Sequence, residues 1–279
     1  MVTSRHDRDD NSGHEQLPLS GQVAVVTGAS RGIGEATARR LASAGATVAL
    51  VARSADALNR LADDIASNNG HALAVPADIG TIDGLDDVVQ ILRNRFQHID
   101  ILINNAGYCP TPRRSETMAL DDWQRTLDVN LTAPWYLATR VRLLMAAGSV
   151  VVNVASTAGH YPTVGLAPYN VSKAGLTMLT RALALEWAGA GIRVVGVAPG
   201  KTDTDIVAGI LARAKAAGFD ANPLGRIAQA GEIADLVMFL VSTGAGYITG
   251  STHVIDGGEL LNPMSRRSPT QQSTQEPQS

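Results

Sequence analysis

Short apolar runs recur along the chain, each about a strand long and most followed by a stretch with helical periodicity. They read "QVAVVTG", "TVALVA", "ALAVPAD" and "IDILINNAG", then "SVVVNVAS" at 149–156, "IRVVGVAPG" at 192–200 and "THVIDGG" at 252–258. Runs without polar alternation suit strands covered on both faces, and parallel neighbours need a crossover that is usually a helix. The alternation therefore predicts an α/β fold: one doubly wound domain with a seven-stranded parallel sheet and helices on both faces. Hydrophobic residues make up 45% of the 279 and aromatics only 4%, so Ala, Val, Leu and Ile must build the core. The pattern runs from about 20 to 260 without a Pro/Ser-rich linker, which predicts a single domain over 18–261. Polar segments 1–17 and 262–279 lack hydrophobic periodicity and read as disordered tails.

A net charge of −3 offers no basic field for nucleic acid or an anionic membrane, so a small-molecule partner is expected. Cys109 is the single cysteine, which excludes an intramolecular disulfide and fits a cytoplasmic location. No apolar run reaches the length of a membrane span, no signal peptide is visible, and no metal site is expected.

The first strand leads into "VTGASRGIGEA", placing Gly28, Gly32 and Gly34 where a strand turns into a helix. Glycines there permit a tight turn, and the helix N-terminus offers N–H groups and a positive dipole end to a pyrophosphate. A plain glycine-rich turn has the same appearance. The end of the second strand supplies a further clue, because an acid that bonds the adenosine ribose of NAD is expected about 20 residues beyond the glycines. This chain has Ala52 and Arg53 there, and a second arginine, Arg31, within the glycine loop. Two guanidinium groups suit a 2′-phosphate, which predicts NADP(H) unless Arg53 is simply a solvated surface residue.

"APYNVSKAGL" at 167–176 places Tyr169 and Lys173 four apart on a helical pattern, in a chain with three lysines and five tyrosines. Residues so spaced share a helix face. An ammonium beside a phenol favours phenolate, so Lys173 is expected to lower the Tyr169 pKa and fit it for proton transfer. An idle surface pair is the alternative.

With "TGASRGIG", "NNAG" at 104–107, Val129 and Asn130, Ser156, "YNVSK" and "APG" at 198–200, the chain resembles the classical short-chain dehydrogenase/reductases over roughly residues 20–260. The resemblance implies a Rossmann-type domain and a catalytic set of Asn130, Ser156, Tyr169 and Lys173. Ser156 would bond the substrate oxygen and Tyr169 would exchange the proton. Lys173 would also bond the nicotinamide ribose, and Asn130 would hold a water relaying protons. Ser156 lies thirteen residues before Tyr169, as that family's pattern requires. The implied cofactor contacts are Gly28, Ser30, Arg31, Gly32, Ile33 and Gly34 in the loop, Arg53, then Asp78 at the adenine amino group with Ile79. Asn105, Ala106 and Gly107 would lie beside the adenosine ribose. Pro199, Gly200, Thr202 and Thr204 would follow the sixth strand, joined by Tyr169 and Lys173. Thr202, where the family usually has an aliphatic residue, and the charged Lys201 before it depart from the pattern and leave the nicotinamide contacts open.

The resemblance further implies a substrate pocket made from 108–117, 157–168 and a lid over about 203–223, and a homotetramer formed about the last helix and strand. The expected activity is NADP(H)-dependent reduction of a ketone, of 3-oxoacyl or secondary-metabolite type. NAD-linked oxidation of a secondary alcohol and a non-catalytic cofactor-binding regulator are the alternatives.

Overall fold

The computed structural model describes residues 17–203 and 222–261. The expected tails apart from Leu17, most of the expected lid, and Thr204 lie outside the described residues.

Seven strands alternate with helices: β1 (Val23–Thr27), α1 (Gly32–Ser43), β2 (Thr47–Ala52), α2 (Ala55–Ser67), β3 (His71–Pro76), α3 (Ile82–Arg95) and β4 (Ile101–Asn104). There follow α4 (Leu120–Leu127), α5 (Ala133–Val141), β5 (Val150–Val154), α6 (Ala167–Trp187), β6 (Arg193–Pro199), α7 (Ala230–Val241) and β7 (Thr252–Ile255). All pairings are parallel, in the order β3-β2-β1-β4-β5-β6-β7. The seven expected strands are all present.

Side chains alternate between the two sheet faces, and each face has its own helical layer. On β5, Val150, Val152 and Val154 pack with α1, α2 and α7, while Val151 packs with α3, α5 and α6. Both layers bury Ala, Val, Leu and Ile almost exclusively, with Trp187 the single buried aromatic side chain among the described residues. β7 is shorter than the apolar run suggested. Gly257 and Gly258 take φ values of 62° and 88°, and the Asp256 carboxylate accepts from the Gly258 and Leu260 N–H groups, each at 2.8 Å, so the chain turns at once.

The strand order reverses between β1 and β4, whose register pairs Val25 with Leu102. Open α/β sheets bind ligands beyond the carboxyl ends of strands at such a switch point. Between α4 and α5 the helix widens into a π turn, Asp128–Thr132, an insertion often found at functional sites. Among the described residues no helix is long and apolar enough to cross a membrane.

Candidate active site

A cavity of about 490 Å³ opens over the carboxyl ends of β1, β2, β4, β5 and β6. At one end it meets the glycine loop. Gly28 and Gly32 have φ values of 66° and 59°, in the region that favours glycine. A Cβ on Gly34 would stand 2.2 Å from the Gly28 carbonyl oxygen, so this third glycine lets α1 close against the loop and does not face the cavity. Ser54 and Thr81 cap α2 and α3 with their hydroxyls, whereas Arg31 at the N-cap of α1 makes no side-chain cap. The loop is braced from β4. Asn105 Nδ2 donates to the Thr27 and Gly28 carbonyls at 2.9 and 3.3 Å, and Thr27 Oγ1 accepts from the Asn105 and Ala106 N–H groups. Asn105 is therefore tied to the loop as well as lining the cavity.

Ser30, Arg31, Ile33 and Arg53 line this end together, and no acid stands at the end of β2. Asp78 and Ile79 border it from the far side. One Asp78 oxygen accepts from Gly80 N–H at 3.0 Å, and the other pairs with Arg125 at 3.4 Å.

At the other end lie Ser156, Tyr169, Lys173, Pro199, Gly200 and Thr202. Ser156 follows β5, and its hydroxyl accepts from Ala158 N–H at 3.1 Å. Lys173 is 3% exposed and donates from Nζ to the Val154 carbonyl at 2.8 Å, which fixes α6 against the end of β5. Desolvation pulls its ammonium down to about 8.

The expected lowering of the Tyr169 pKa by Lys173 is not what this geometry gives. Burial pushes the phenol up to about 12, with Cys109 adding to the rise and a hydrogen bond from Ser156 opposing it. The ammonium lies 5.8 Å from the ring centroid and is committed to the Val154 carbonyl. Desolvation is the largest cause of the shift.

Asn130 sits in the π turn, fully buried behind the cavity wall. Its Oδ1 accepts from Tyr108 N–H at 2.7 Å, and its Nδ2 donates to the Tyr108 carbonyl and the Ser172 hydroxyl at 2.9 and 3.0 Å. A Cβ on Gly107 would stand 3.7 Å from Asn130 Oδ1 and 3.9 Å from Lys173 Nζ, which places this glycine between the two side chains. Thr202 is 3% exposed, donates to the Gly200 carbonyl at 3.1 Å and bridges to Ala228. Lys201 pairs with Glu259 at 3.2 Å, so its charge is anchored to the segment after β7.

Three groups near this site had no role assigned from the sequence. Tyr108 and Arg125 line the cavity. Beneath it, Asn104 donates to Asn153 at 2.9 Å, and Asn153 donates to Thr180 at 2.9 Å, a buried polar ladder joining β4, β5 and α6. An amide inside a valine run was its signal, since a buried amide needs partners.

A switch-point crevice with a glycine loop, a helix N-terminus and a Ser–Tyr–Lys cluster defines a Rossmann-type oxidoreductase of carbonyl and alcohol groups. The family model described as "Enoyl-(Acyl carrier protein) reductase" matches residues 28–259. The chain is 37% identical over 247 residues to a 3-oxoacyl-[acyl-carrier-protein] reductase of Synechocystis sp., covering 87% of this chain and 98% of that protein. It is 40% identical over 244 residues to an uncharacterized short-chain type dehydrogenase/reductase of Sinorhizobium fredii, where the match takes in 85% of this chain but 43% of that longer protein. Among solved structures it resembles the angucycline C-6 ketoreductase LanV with bound NADP, with a TM-score of 0.81 and 33% identity over 88% of this chain and 97% of that one. The chain belongs to the short-chain dehydrogenase/reductase family.

Proposed function

We propose that the protein is an NADP(H)-dependent reductase converting a ketone, of 3-oxoacyl or secondary-metabolite type, to a secondary alcohol. The observation that carries this reading is one cavity lined by Arg31 and Arg53 at one end and by Ser156, Tyr169 and Lys173 at the other. Two cations without an acid at the end of β2 suit a phosphate dianion on the adenosine ribose. The glycine loop suits a pyrophosphate, because Gly28 and Gly32 turn through positive φ and line the cavity at the N-terminus of α1. The similarity to proteins described as 3-oxoacyl reductase and NADP-bound ketoreductase supports the same cofactor and substrate class.

When bound, NADPH supplies the hydride; the chain manages the oxygen and the proton. Ser156 holds the carbonyl oxygen by hydrogen bonding, and Tyr169, kept neutral by burial, donates the proton to that oxygen. Lys173, its ammonium 5.8 Å from the Tyr169 ring centroid and charged below about pH 8, would offset the charge of the phenolate left behind. The return of the proton is assigned to a water relayed between Asn130 and Lys173, the side chains on either side of Gly107. The homotetramer about α7 and β7 rests on the family resemblance, and the free thiol of Cys109 suits the cytoplasm.

The test is cofactor oxidation by the purified protein, with NADPH and NADH in parallel, against 3-oxoacyl thioesters, cyclic ketones, diketones and keto-sugars. Turnover with NADPH on one class is expected. Equal use of NADH defeats the cofactor assignment, and silence with every ketone defeats the reaction.

A further inference from the structure

Arg125 stands in the cofactor cavity, and no motif of the chain accounts for it. It lies on α4 one turn before Val129, which lines the same wall, and both face the Asp78–Gly80 segment. A Cβ on Gly80 would meet Val129 Cγ2 at 3.1 Å and Arg125 Nη1 at 4.0 Å. The Arg125 guanidinium pairs with Asp78 Oδ2 at 3.4 Å and lies over the Tyr108 ring, 5.5 Å from its centroid. That ring is held in turn, because the Tyr108 hydroxyl donates to Asp122 at 2.9 Å and Asn130 grips its backbone at both N–H and carbonyl.

We infer that Arg125 is a cofactor-binding residue at the adenine end of the site, with Tyr108 as its support. This rests on the reading of the cavity as a nicotinamide dinucleotide site. A guanidinium plane packs well on aromatic faces, and adenine is a flat heteroaromatic ring that must lie beside Asp78 if that carboxylate accepts from its amino group. Arg125 also settles an electrostatic difficulty: an uncompensated carboxylate would repel a ligand carrying several phosphate charges, and the paired guanidinium offsets it. Tyr108 prevents the long side chain from folding elsewhere. Because its backbone is gripped by Asn130, the adenine wall and the catalytic residues share one rigid strut.

Adenine is common to both nicotinamide cofactors, so Arg125 and Arg53 give separable signatures. The experiment is fluorescence titration of purified wild type, Arg125→Ala, Arg125→Lys and Tyr108→Leu with NADPH and NADH, with adenosine 5′-monophosphate as competitor. Arg125→Ala is expected to raise Kd for all three by a common factor of about ten, and the kinetic loss is expected in the KM for cofactor rather than in kcat. Arg125→Lys, which keeps charge but loses the plane, falls between, and Tyr108→Leu follows Arg125→Ala more weakly. Arg53→Ala moves NADPH alone. Unchanged Kd values in Arg125→Ala, or a loss confined to thermal stability, overturn the inference while leaving the dinucleotide site standing. Wild type that binds neither cofactor removes both.

Discussion

The two ends of the one cavity are built on opposite principles. At the adenine end Arg31, Arg53, Asp78 and Arg125 are partly or largely exposed, and the Asp78 and Arg125 side chains keep 38% and 39% of their accessible surface. At the catalytic end Asn130 and Lys173 are buried, and desolvation governs the charge states of Tyr169 and Lys173. Exposed charges act through Coulomb forces that salt and solvent weaken, whereas buried groups act through altered acidity that salt hardly reaches. On the proposed function, the same fold would recognise its cofactor with screened charges and handle protons with unscreened ones.

The largest expected effect tests the buried end. Tyr169→Phe removes the proposed proton donor without removing the ring, and kcat/KM in steady-state reduction should fall by about 10²–10⁴-fold while NADPH affinity holds. Turnover within tenfold of wild type breaks the contrast at its stronger side. At the exposed end, Arg53→Ala should weaken NADPH by about 10-fold and leave NADH nearly unmoved in parallel titrations, because a hydrogen bond to a charged group contributes ~1.5–3 kcal/mol before solvent screening reduces it. Equal effects on both cofactors remove the 2′-phosphate assignment.

A pH profile sharpens the comparison. Lys173 is a base whose folded-state pKa is lowered to about 8, so it is charged below that value and neutral above it. Tyr169, raised to about 12, stays protonated throughout the working range. In the reductive direction kcat/KM should therefore be level below about pH 8 and decline above it. Lys173→Arg should move that decline out of the range, since a guanidinium does not titrate there. A decline that stays in place assigns it to another group. The smallest effect is that of salt: from 0.05 to 0.5 M ionic strength the KM for NADPH should rise severalfold with kcat almost constant, as expected when only the exposed end is screened.

The sheet and its helices were legible because buried parallel strands spell themselves as apolar runs, and β7 fell short only where Asp256 and two glycines impose a turn. That Ser156, Tyr169 and Lys173 line one cavity was legible because Tyr169 and Lys173 share a helix and Ser156 follows a strand. The direction of the Tyr169 shift was not. Spacing tells which residues meet, while acidity depends on how much water and how many dipoles surround them, and those come from distant segments. Arg125 escaped for the same reason: its partners Asp78 and Tyr108 are 47 and 17 residues away, on other elements, and nothing in "LDDWQRTL" marks one arginine as facing a cavity.

The switch point has a consequence for synthesis. β1 finds β2 early, but its other neighbour begins at Ile101, and the cavity is not closed until Thr202 has been placed. At roughly 5–20 residues per second, a ribosome leaves the glycine loop without its far walls for many seconds. During that interval a dinucleotide has no complete site to bind and cannot stabilise the growing chain. Until then the first half of the sheet has only its own apolar contacts, so damage to β1, α1 or β2 should lower yield in cells, and added cofactor should restore it only in part, through the completed fold.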